Sequence, residues 1–362
     1  MIDRRLFENI DWILIGLLVL NSLVGVFVIY SASNHLPGDY HWRQLVFLAG
    51  SLVALFILLV VDYQILLTFS FYLYGALMFV LALMLVSGRF ISKGSWIRLP
   101  FFQIQPSELA KIAIVLVLAR LFAEYKRSHL NLSVVLASCG LVAVPLMLVA
   151  LQPDLGTAVS FLPLLLGALI LAGLRRRAVV WILLLAVLAG LAGWNFYLKD
   201  YQRKRLTTVV FPGRDPQGSG YHILQSKIAL GSGGLLGKGF TKGTQSQLKF
   251  LPARHTDFVF SVVGEEFGFV GVTAVLFLYA VFLSRLFGAA GKSRDRAGVY
   301  IIFMVSLMIA FQLLVNVAMV IGLFPIVGIP LPLLSYGGSS LLANCLGVGL
   351  VLNVKMRRFA NI

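Results

Sequence analysis

Long apolar runs separated by short polar connections follow one another along almost the whole chain. The runs lie near residues 12–31, 43–61, 66–87, 107–123, 133–150, 155–173, 178–198, 257–286, 299–322 and 339–355. They lack the period-two alternation of barrel strands, and unpaired backbone groups are not tolerated in lipid. At roughly 20 residues per crossing, the pattern predicts an all-α polytopic transmembrane helical bundle of about ten spans.

Two boundaries in this pattern depend on particular residues. Only residues 152–154 (Gln-Pro-Asp) divide the fifth run from the sixth, where proline marks the boundary. The first run, 12–31, is too long for a signal-peptide core and has no small-residue cleavage site, so we expect it to be retained as a span.

Composition supports the membrane prediction. The chain is 59% hydrophobic and 12% charged, with a mean hydropathy of +0.93. A soluble domain of 362 residues could not bury that much apolar surface in one core. We therefore expect a single integral membrane domain over residues 1–362. Cys139 and Cys345 lie in apolar runs and have no metal-ligand spacing, so they are interpreted as small core residues.

The net charge of +16 carries topology information. About half of the basic residues flank apolar runs, which does not fit a nucleic-acid-binding surface. An even number of spans places both termini on one side, and the bias of basic residues favours the cytoplasm for that side. The inner residues are then Arg4, Arg5, Lys126, Arg127, Arg175, Arg176, Arg177, Lys292, Arg294, Arg296, Lys355, Arg357 and Arg358.

Residues 199–256 form a long, basic, glycine-rich connection between the seventh and eighth spans, which this topology places on the extracytoplasmic side. Ten Lys and Arg residues stand against two Asp residues here, and 221–230 predicts a short amphipathic helix at the membrane surface. Such a surface suits a phosphate-bearing lipid, because glycines let backbone N–H groups approach phosphate oxygens. The alternative is a loop that merely contacts anionic head groups. Residues 231–239 lack the order of a nucleotide-binding loop.

Asp257 is the leading candidate for chemistry. It stands where this loop enters the eighth span, beside Arg254, His255 and Thr256. A carboxylate partly withdrawn from water could take a proton from a sugar hydroxyl. The alternative is that Thr256 or Asp257 caps the helix. Glu265 and Glu266 follow in the same apolar run, and they either line a polar cavity or pair with a basic group.

Two further elements place polar groups on the outer side. Glu108 and Lys111 are three residues apart at the head of the fourth span, where Ser107 could cap the helix. They line a cavity or form a self-paired helix start. Residues 325–340 form a proline-rich turn containing Ser335, typical of a re-entrant segment.

Four blocks of this sequence resemble the signatures of one family. Residues 105–111 (QPSELAK), 152–157 (QPDLGT), 250–261 (FLPARHTDFVFS) and 328–340 (GIPLPLLSYGGSS) are similar, in order, to those of the SEDS proteins of shape, elongation, division and sporulation. The chain length and short N-terminus fit the elongation branch best. The family's essential aspartate falls on Asp257, and its fourth-span polar pair falls on Glu108 and Lys111.

The resemblance implies a peptidoglycan glycosyltransferase of the bacterial inner membrane with its active site on the periplasmic face. It would polymerise lipid II beside a class B penicillin-binding protein. By hypothesis, Asp257 deprotonates the acceptor hydroxyl, and Lys238, Lys242, Lys249 and Arg254 neutralise the diphosphate leaving group. Whether a divalent cation assists the diphosphate stays open. The competing functions are a lipid II flippase and a non-catalytic scaffold for the penicillin-binding protein.

Overall fold

The computed structural model describes most of the chain. It covers residues 8–34, 37–87, 95–98, 103–125, 130–174, 180, 184, 200–211, 215, 218–248, 250–251 and 253–359. The predicted span 178–198 falls outside these ranges except at single positions, and Lys249 also lies outside them.

The described chain is mainly helical. Its helices are α1 (Trp12–Ser33), α2 (Tyr40–Val60), α3 (Tyr63–Thr68), α4 (Ser70–Ser87), α5 (Pro106–Glu124), α6 (Leu132–Leu151), α7 (Leu155–Val159), α8 (Leu162–Leu171), α9 (Asp200–Val210), α10 (Ser219–Ser232), α11 (Thr244–Gln247), α12 (Val259–Ala290), α13 (Arg296–Val320) and α14 (Gly338–Met356). Strands β1 (Ile97–Arg98) and β2 (Gln103–Ile104) form a short antiparallel ladder that pairs Ile97 with Ile104.

Six of the described helices are long and apolar enough to cross a membrane: α1, α2, α6, α12, α13 and α14. Two predicted runs divide into shorter pieces. The run 66–87 breaks at Phe69 between α3 and α4, and the run 155–173 breaks at Ser160 and Phe161 between α7 and α8. The first break falls at Phe69, an apolar residue that gives no turn signal. The second lies just before Pro163, which stands in the first turn of α8 and is the local signal that could have located it.

Helices α5, α13 and α14 form the centre of the bundle. Every residue of α5 from Ala110 to Ala119 is buried, and α13 packs against α5, α8, α12 and α14. By contrast, α2, α6 and the most apolar stretch of α12 bury only about a quarter of their residues, and they expose large apolar side chains such as Val46, Ile57 and Phe277. An apolar outer surface around a buried centre is the arrangement expected of a bundle surrounded by lipid.

The predicted outer connection contains more structure than the sequence indicated. The amphipathic helix expected at 221–230 is present within α10, which exposes Leu224 and Ile228. Its other face packs on α12, where the Ser226 and Ser261 hydroxyl oxygens lie 2.8 Å apart. Helices α9 and α11, which the sequence did not predict, precede and follow it.

Helix α12 is broken at Gly268, whose φ of 63° and ψ of −158° are not helical. The glycine-rich run after α10 fills the break. Lys238 N and Gly239 N donate to the carbonyls of Glu265 and Glu266 at 3.0 Å each. Phe269 N donates to Gly234 O at 2.9 Å, and Val270 N to Leu235 O at 3.1 Å. The glycines thus approach the α12 backbone, and the amides of residues 238 and 239 donate to its carbonyls.

Candidate active site

A polar cavity of about 900 Å³ opens at the end of the bundle where α2 and α5 begin. Its walls come from segments far apart in sequence: the start of α2, the β1–β2 ladder, the head of α5, the turn before α7, helix α9, the segment before α12, and residues 324–340. Its polar and aromatic lining residues include Tyr40, Arg43, Trp96, Gln103, Gln105, Glu108, Asp154, Thr157, Arg205, His255, Thr256, Asp257, Tyr336 and Ser340.

Asp257 lies in the wall of this cavity, in a tight turn that precedes α12. The amides of Thr256, Asp257 and Phe258 all donate to Ala253 O, at 3.1, 3.0 and 3.3 Å. Phe258 occupies the N-cap position of α12 without a side-chain cap bond. The alternative in which Thr256 or Asp257 caps the helix is therefore wrong, because the turn directs the Asp257 side chain into the cavity.

The surroundings of Asp257 favour a base. Burial raises the pKa of Asp257 to about 6, against the lowering effects of a hydrogen bond from Thr256 and the charge of Arg205, while Asp154 adds to the increase. Burial and the nearby Arg254 lower the pKa of His255, so this imidazole is neutral at neutral pH. A carboxylate with a pKa of about 6 is ionised at pH 7 yet binds a proton more readily than an ordinary aspartate.

An aromatic wall stands next to Asp257. The Tyr40 ring lies 4.8 Å from the His255 ring and 5.2 Å from that of Tyr336, and Phe47 packs against Tyr336 at 6.1 Å. Sequence reasoning did not select Tyr40, because it precedes an apolar run as an ordinary interfacial tyrosine would.

Glu108 and Lys111 form an ion pair of 2.8 Å at the head of α5, with side chains 5% and 1% exposed. Glu108 lines the cavity, whereas Lys111 lies behind it. Gln105 occupies the N-cap position with Pro106 after it, so Ser107 does not cap the helix. Both readings of the pair therefore hold, since it is self-paired and one member faces the cavity.

The other predicted residues lie away from the cavity wall. Glu265 accepts from Lys238 Nζ at 2.8 Å and from the amides of Gln245 and Ser246, which holds the outer loop onto α12. Glu266 accepts a bond from the Ser31 hydroxyl. Neither of these glutamates lines the cavity, and neither do Lys238, Lys242, Arg254 and Ser335.

Among the basic residues that the structure describes, those that line the cavity are Arg43, at the start of α2, and Arg205, on α9. Arg205 Nη1 donates to Ile326 O at 3.3 Å. The sequence offered little to separate them from the other basic residues, because Arg43 begins an apolar run and Arg205 is one of ten cations in the outer connection. The fold alone selects these two.

Asp154 lines the cavity in the turn before α7, within the family block at residues 152–157. Its carboxylate accepts from Gln105 Nε2 at 2.7 Å and from Thr157 Oγ1 at 3.0 Å. Within the described ranges no three His, Cys, Asp or Glu side chains converge in a way that would hold a metal ion.

The fold and cavity define the class of this protein: a polytopic helical integral membrane protein with an internal polar site at one end of the bundle. Residues 11–359 match the FtsW/RodA/SpoVE family, described as a cell cycle protein. The chain belongs to this family, which confirms the resemblance seen in its four sequence blocks.

Individual relatives agree with the family match over nearly the whole chain. The peptidoglycan glycosyltransferase MrdB of Escherichia coli K12 is 40% identical over 351 residues, covering 96% of this chain and 92% of MrdB. A chain of a peptidoglycan synthase complex that coordinates polymerization and crosslinking superposes with a TM-score of 0.82 at 37% identity, covering 97% of this chain and 99% of that one. The rod shape determining protein RodA of Thermus thermophilus gives 0.72 at 32% identity, covering 97% and 98%.

Proposed function

We propose that this protein is a peptidoglycan glycosyltransferase that polymerises lipid II into glycan strands, with Asp257 as its general base. The name and 40% identity of the MrdB relative support the activity. The observation that carries the role of Asp257 is its position in the wall of a 900 Å³ polar cavity, where burial raises its pKa to about 6. The volume is large enough for a disaccharide headgroup.

In this mechanism Asp257 accepts the proton of the 4-hydroxyl of the acceptor GlcNAc. The resulting oxygen attacks the anomeric carbon of the donor MurNAc from the face opposite the diphosphate. The new glycosidic bond forms as the bond from that carbon to the diphosphate oxygen breaks, with inversion. No covalent enzyme intermediate is needed, so one carboxylate suffices as base.

The undecaprenyl diphosphate leaves with the electron pair and gains negative charge. Arg43 and Arg205, which line the cavity within the described part of the chain, can stabilise this charge, because preorganised cations act most strongly where the leaving group develops it. This assignment replaces Lys238, Lys242 and Arg254 in that role, since none of those three lines the cavity.

The test is strand synthesis by Asp257→Asn. The variant keeps the size of the side chain but cannot accept the proton, so we expect purified variant protein to make no glycan from labelled lipid II. Asp39→Asn is the matched control. Asp39 is exposed and lies next to the cavity-lining Tyr40 in sequence, but Asp39 itself makes no side-chain cap bond and does not line the cavity. Near-normal synthesis by Asp257→Asn would exclude Asp257 as the base.

The proposal includes the topology: about ten spans at the usual length per crossing, both termini in the cytoplasm and the cavity on the periplasmic face. The distribution of Lys and Arg supports it. A single cysteine introduced at the exposed Asp39, in a variant without Cys139 and Cys345, should react with an impermeant maleimide added outside intact cells. Labelling only after lysis would show that residue 39 faces the cytoplasm, which would contradict the proposed orientation.

A class B penicillin-binding protein is the proposed partner. The solved structure at a TM-score of 0.82 is a complex that coordinates polymerization with crosslinking, and this supports a crosslinking partner here. Co-purification of the two proteins from membranes, with enhanced strand synthesis by the pair, is the expected result.

A further inference from the structure

Three consecutive backbone carbonyls of the segment that carries Asp257 are each held by a different donor from another part of the chain. Tyr336 N donates to His255 O at 2.9 Å. Ser335 Oγ donates to Thr256 O at 2.5 Å. Asn316 Nδ2 donates to Asp257 O at 3.0 Å. All three donors come from α13 or from the turn between α13 and α14.

Asn316 donates both to this segment and to the proline-rich turn. It is fully buried near the end of α13, and its amide nitrogen also donates to Ile329 O at 2.9 Å. Both N–H groups of the amide are thus used on carbonyls of two different segments. A flipped amide would place Oδ1 against the same two carbonyls, so the donor orientation is the one that the site permits.

Ser335 also fixes the backbone of the Asp257 segment, through Thr256 O. Its hydroxyl accepts a bond from Leu331 N at 2.8 Å while it donates to Thr256 O. The turn therefore closes on itself and on the Asp257 segment through one side chain. A buried network in which each donor finds an acceptor fixes geometry, because breaking any bond leaves a buried carbonyl unsatisfied.

We infer that Asn316, assisted by Ser335, is a positioning residue for the glycosyl transfer, fixing the backbone at Asp257 so that its carboxylate points into the cavity. Neither residue lines the cavity, so neither touches the substrate. The inference rests on the proposed function of Asp257. It deepens that proposal by giving a role to a buried polar residue inside an apolar helix, where an unneeded amide is costly.

Asn316→Leu tests the role, because leucine keeps the branched shape of the side chain and removes both donors. Loss of the backbone bond lets the carboxylate move, and a misplacement of about 1 Å can cost about 100-fold in rate. We expect kcat for strand synthesis to fall by roughly 10- to 100-fold, with KM and the binding of labelled lipid II little changed.

The pH profile separates positioning from a general loss of folded protein. Asp257 faces Arg205 from α9 and Asp154 from the turn before α7, with Arg254 and His255 on its own segment. A carboxylate released from its buried position should move toward the ordinary pKa of about 3.9, which shifts the acid limb of kcat to lower pH. A smaller folded fraction would scale the whole profile and leave its midpoint in place.

Asn21→Leu is the matched control. Asn21 is also fully buried in an apolar helix, but its amide donates to Leu17 O of its own helix at 2.8 Å and it does not line the cavity. This variant should keep both kcat and the acid limb. If Asn316→Leu does not fold, Ser335→Ala, which removes the bond to Thr256 O, decides by the same two readouts.

A failure of the positioning inference can be distinguished from a failure of the proposed function. Strand synthesis by the wild-type protein that Asp257→Asn abolishes establishes the base. Given that result, a positioning variant with wild-type kcat and an unmoved acid limb overturns the inference and leaves the base intact. Absence of synthesis by the wild-type protein would instead contradict the proposed function.

Discussion

At the scale of single residues, the feature that matters most is the balance of charges around Asp257. Burial is the largest influence on its pKa, and Asp154 acts in the same direction, whereas Thr256 and Arg205 oppose both. These opposing influences leave the pKa of the carboxylate at an intermediate value of about 6. It is basic enough to take a proton, and it is still ionised at neutral pH.

This balance predicts the pH dependence of strand synthesis. Only the ionised carboxylate can act as base, so kcat should fall below pH 6, by about tenfold per unit for a single proton. Asp154→Asn removes a like charge and should move the acid limb of the profile to lower pH. Asp39→Asn should leave it in place. An acid limb that stays fixed or moves upward in Asp154→Asn would contradict this electrostatic account.

The same pKa fixes the sign of the stability effect. The pKa of Asp257 in the folded state lies above the unfolded value of about 3.9, so the folded state binds the proton more tightly than the unfolded state. The stability gained from this proton is fully present below about pH 3.9 and is lost as the pH rises through about 6. Above that pH, Asp257→Asn should therefore unfold at the same temperature as the wild type or a higher one. Loss of activity in this variant would then report lost chemistry.

At the scale of elements, the break in α12 explains why the connection over residues 199–256 is rich in glycine. The amides freed at Gly268 find acceptors on Gly234 and Leu235, so the break leaves these backbone groups bonded. Glu265 then fastens the following segment through Lys238 and the start of α11. The break and its inserted run set where this connection lies on the bundle.

Gly237→Ala tests this insertion. Gly237 has a φ of +79°, and an added Cβ would lie 2.1 Å from Glu266 O, so either the backbone of the run or α12 must move. We expect a loss of roughly 1–3 kcal/mol, seen as a lower unfolding temperature in detergent. Gly231→Ala, in α10 with nothing within 4 Å of an added Cβ, should not lower it. Equal unfolding temperatures for the two variants would contradict the insertion.

At the scale of the whole molecule, two polar networks at opposite ends of α1 hold the bundle together. At the cavity end, Ser31 binds Glu266 and Gln247. At the other end, Asp11 binds Arg285 of α12 at 3.0 Å and also binds Lys355 of α14. Although burial alone would raise it, the two cations lower the pKa of Asp11 to about 2.

Asp11→Asn should therefore destabilise the protein without affecting the site. We expect a loss of about 1–3 kcal/mol, below the range for a fully buried pair because Arg285 is 41% exposed. Strand synthesis per folded molecule should not change, since Asp11 is remote from the cavity. Glu124→Gln, which breaks the exposed pair with Arg120, is the control and should have little effect.

Unfolding temperatures measured over a series of pH values test whether the ionised Asp11 carboxylate stabilises the folded state. Because the folded pKa of Asp11 is depressed, its contribution is present above the ordinary value of about 3.9 and is lost as the pH falls toward 2. The difference in unfolding temperature between wild type and Asp11→Asn should shrink over that interval. A difference that stays constant would show that the charge of Asp11 does not stabilise the bundle.

The sequence by itself determined the membrane class and most helix positions, and it singled out Asp257 as the candidate for chemistry. Apolar runs of span length have few alternatives in lipid, and a carboxylate at the mouth of such a run is costly enough to indicate a role. The family blocks at 105–111, 152–157, 250–261 and 328–340 placed the correct segments at the site, because each keeps polar residues where the pattern calls for apolar ones.

Only the tertiary structure decided which cations face the cavity and which residues hold Asp257 in place. Lys238 and Arg205 are equivalent as basic residues in the outer connection, yet one binds Glu265 and the other lines the cavity. Likewise, Asn316 is an isolated amide in an apolar run until the fold brings it to Asp257 O. Both distinctions depend on contacts between segments far apart in sequence, and no local pattern records such contacts.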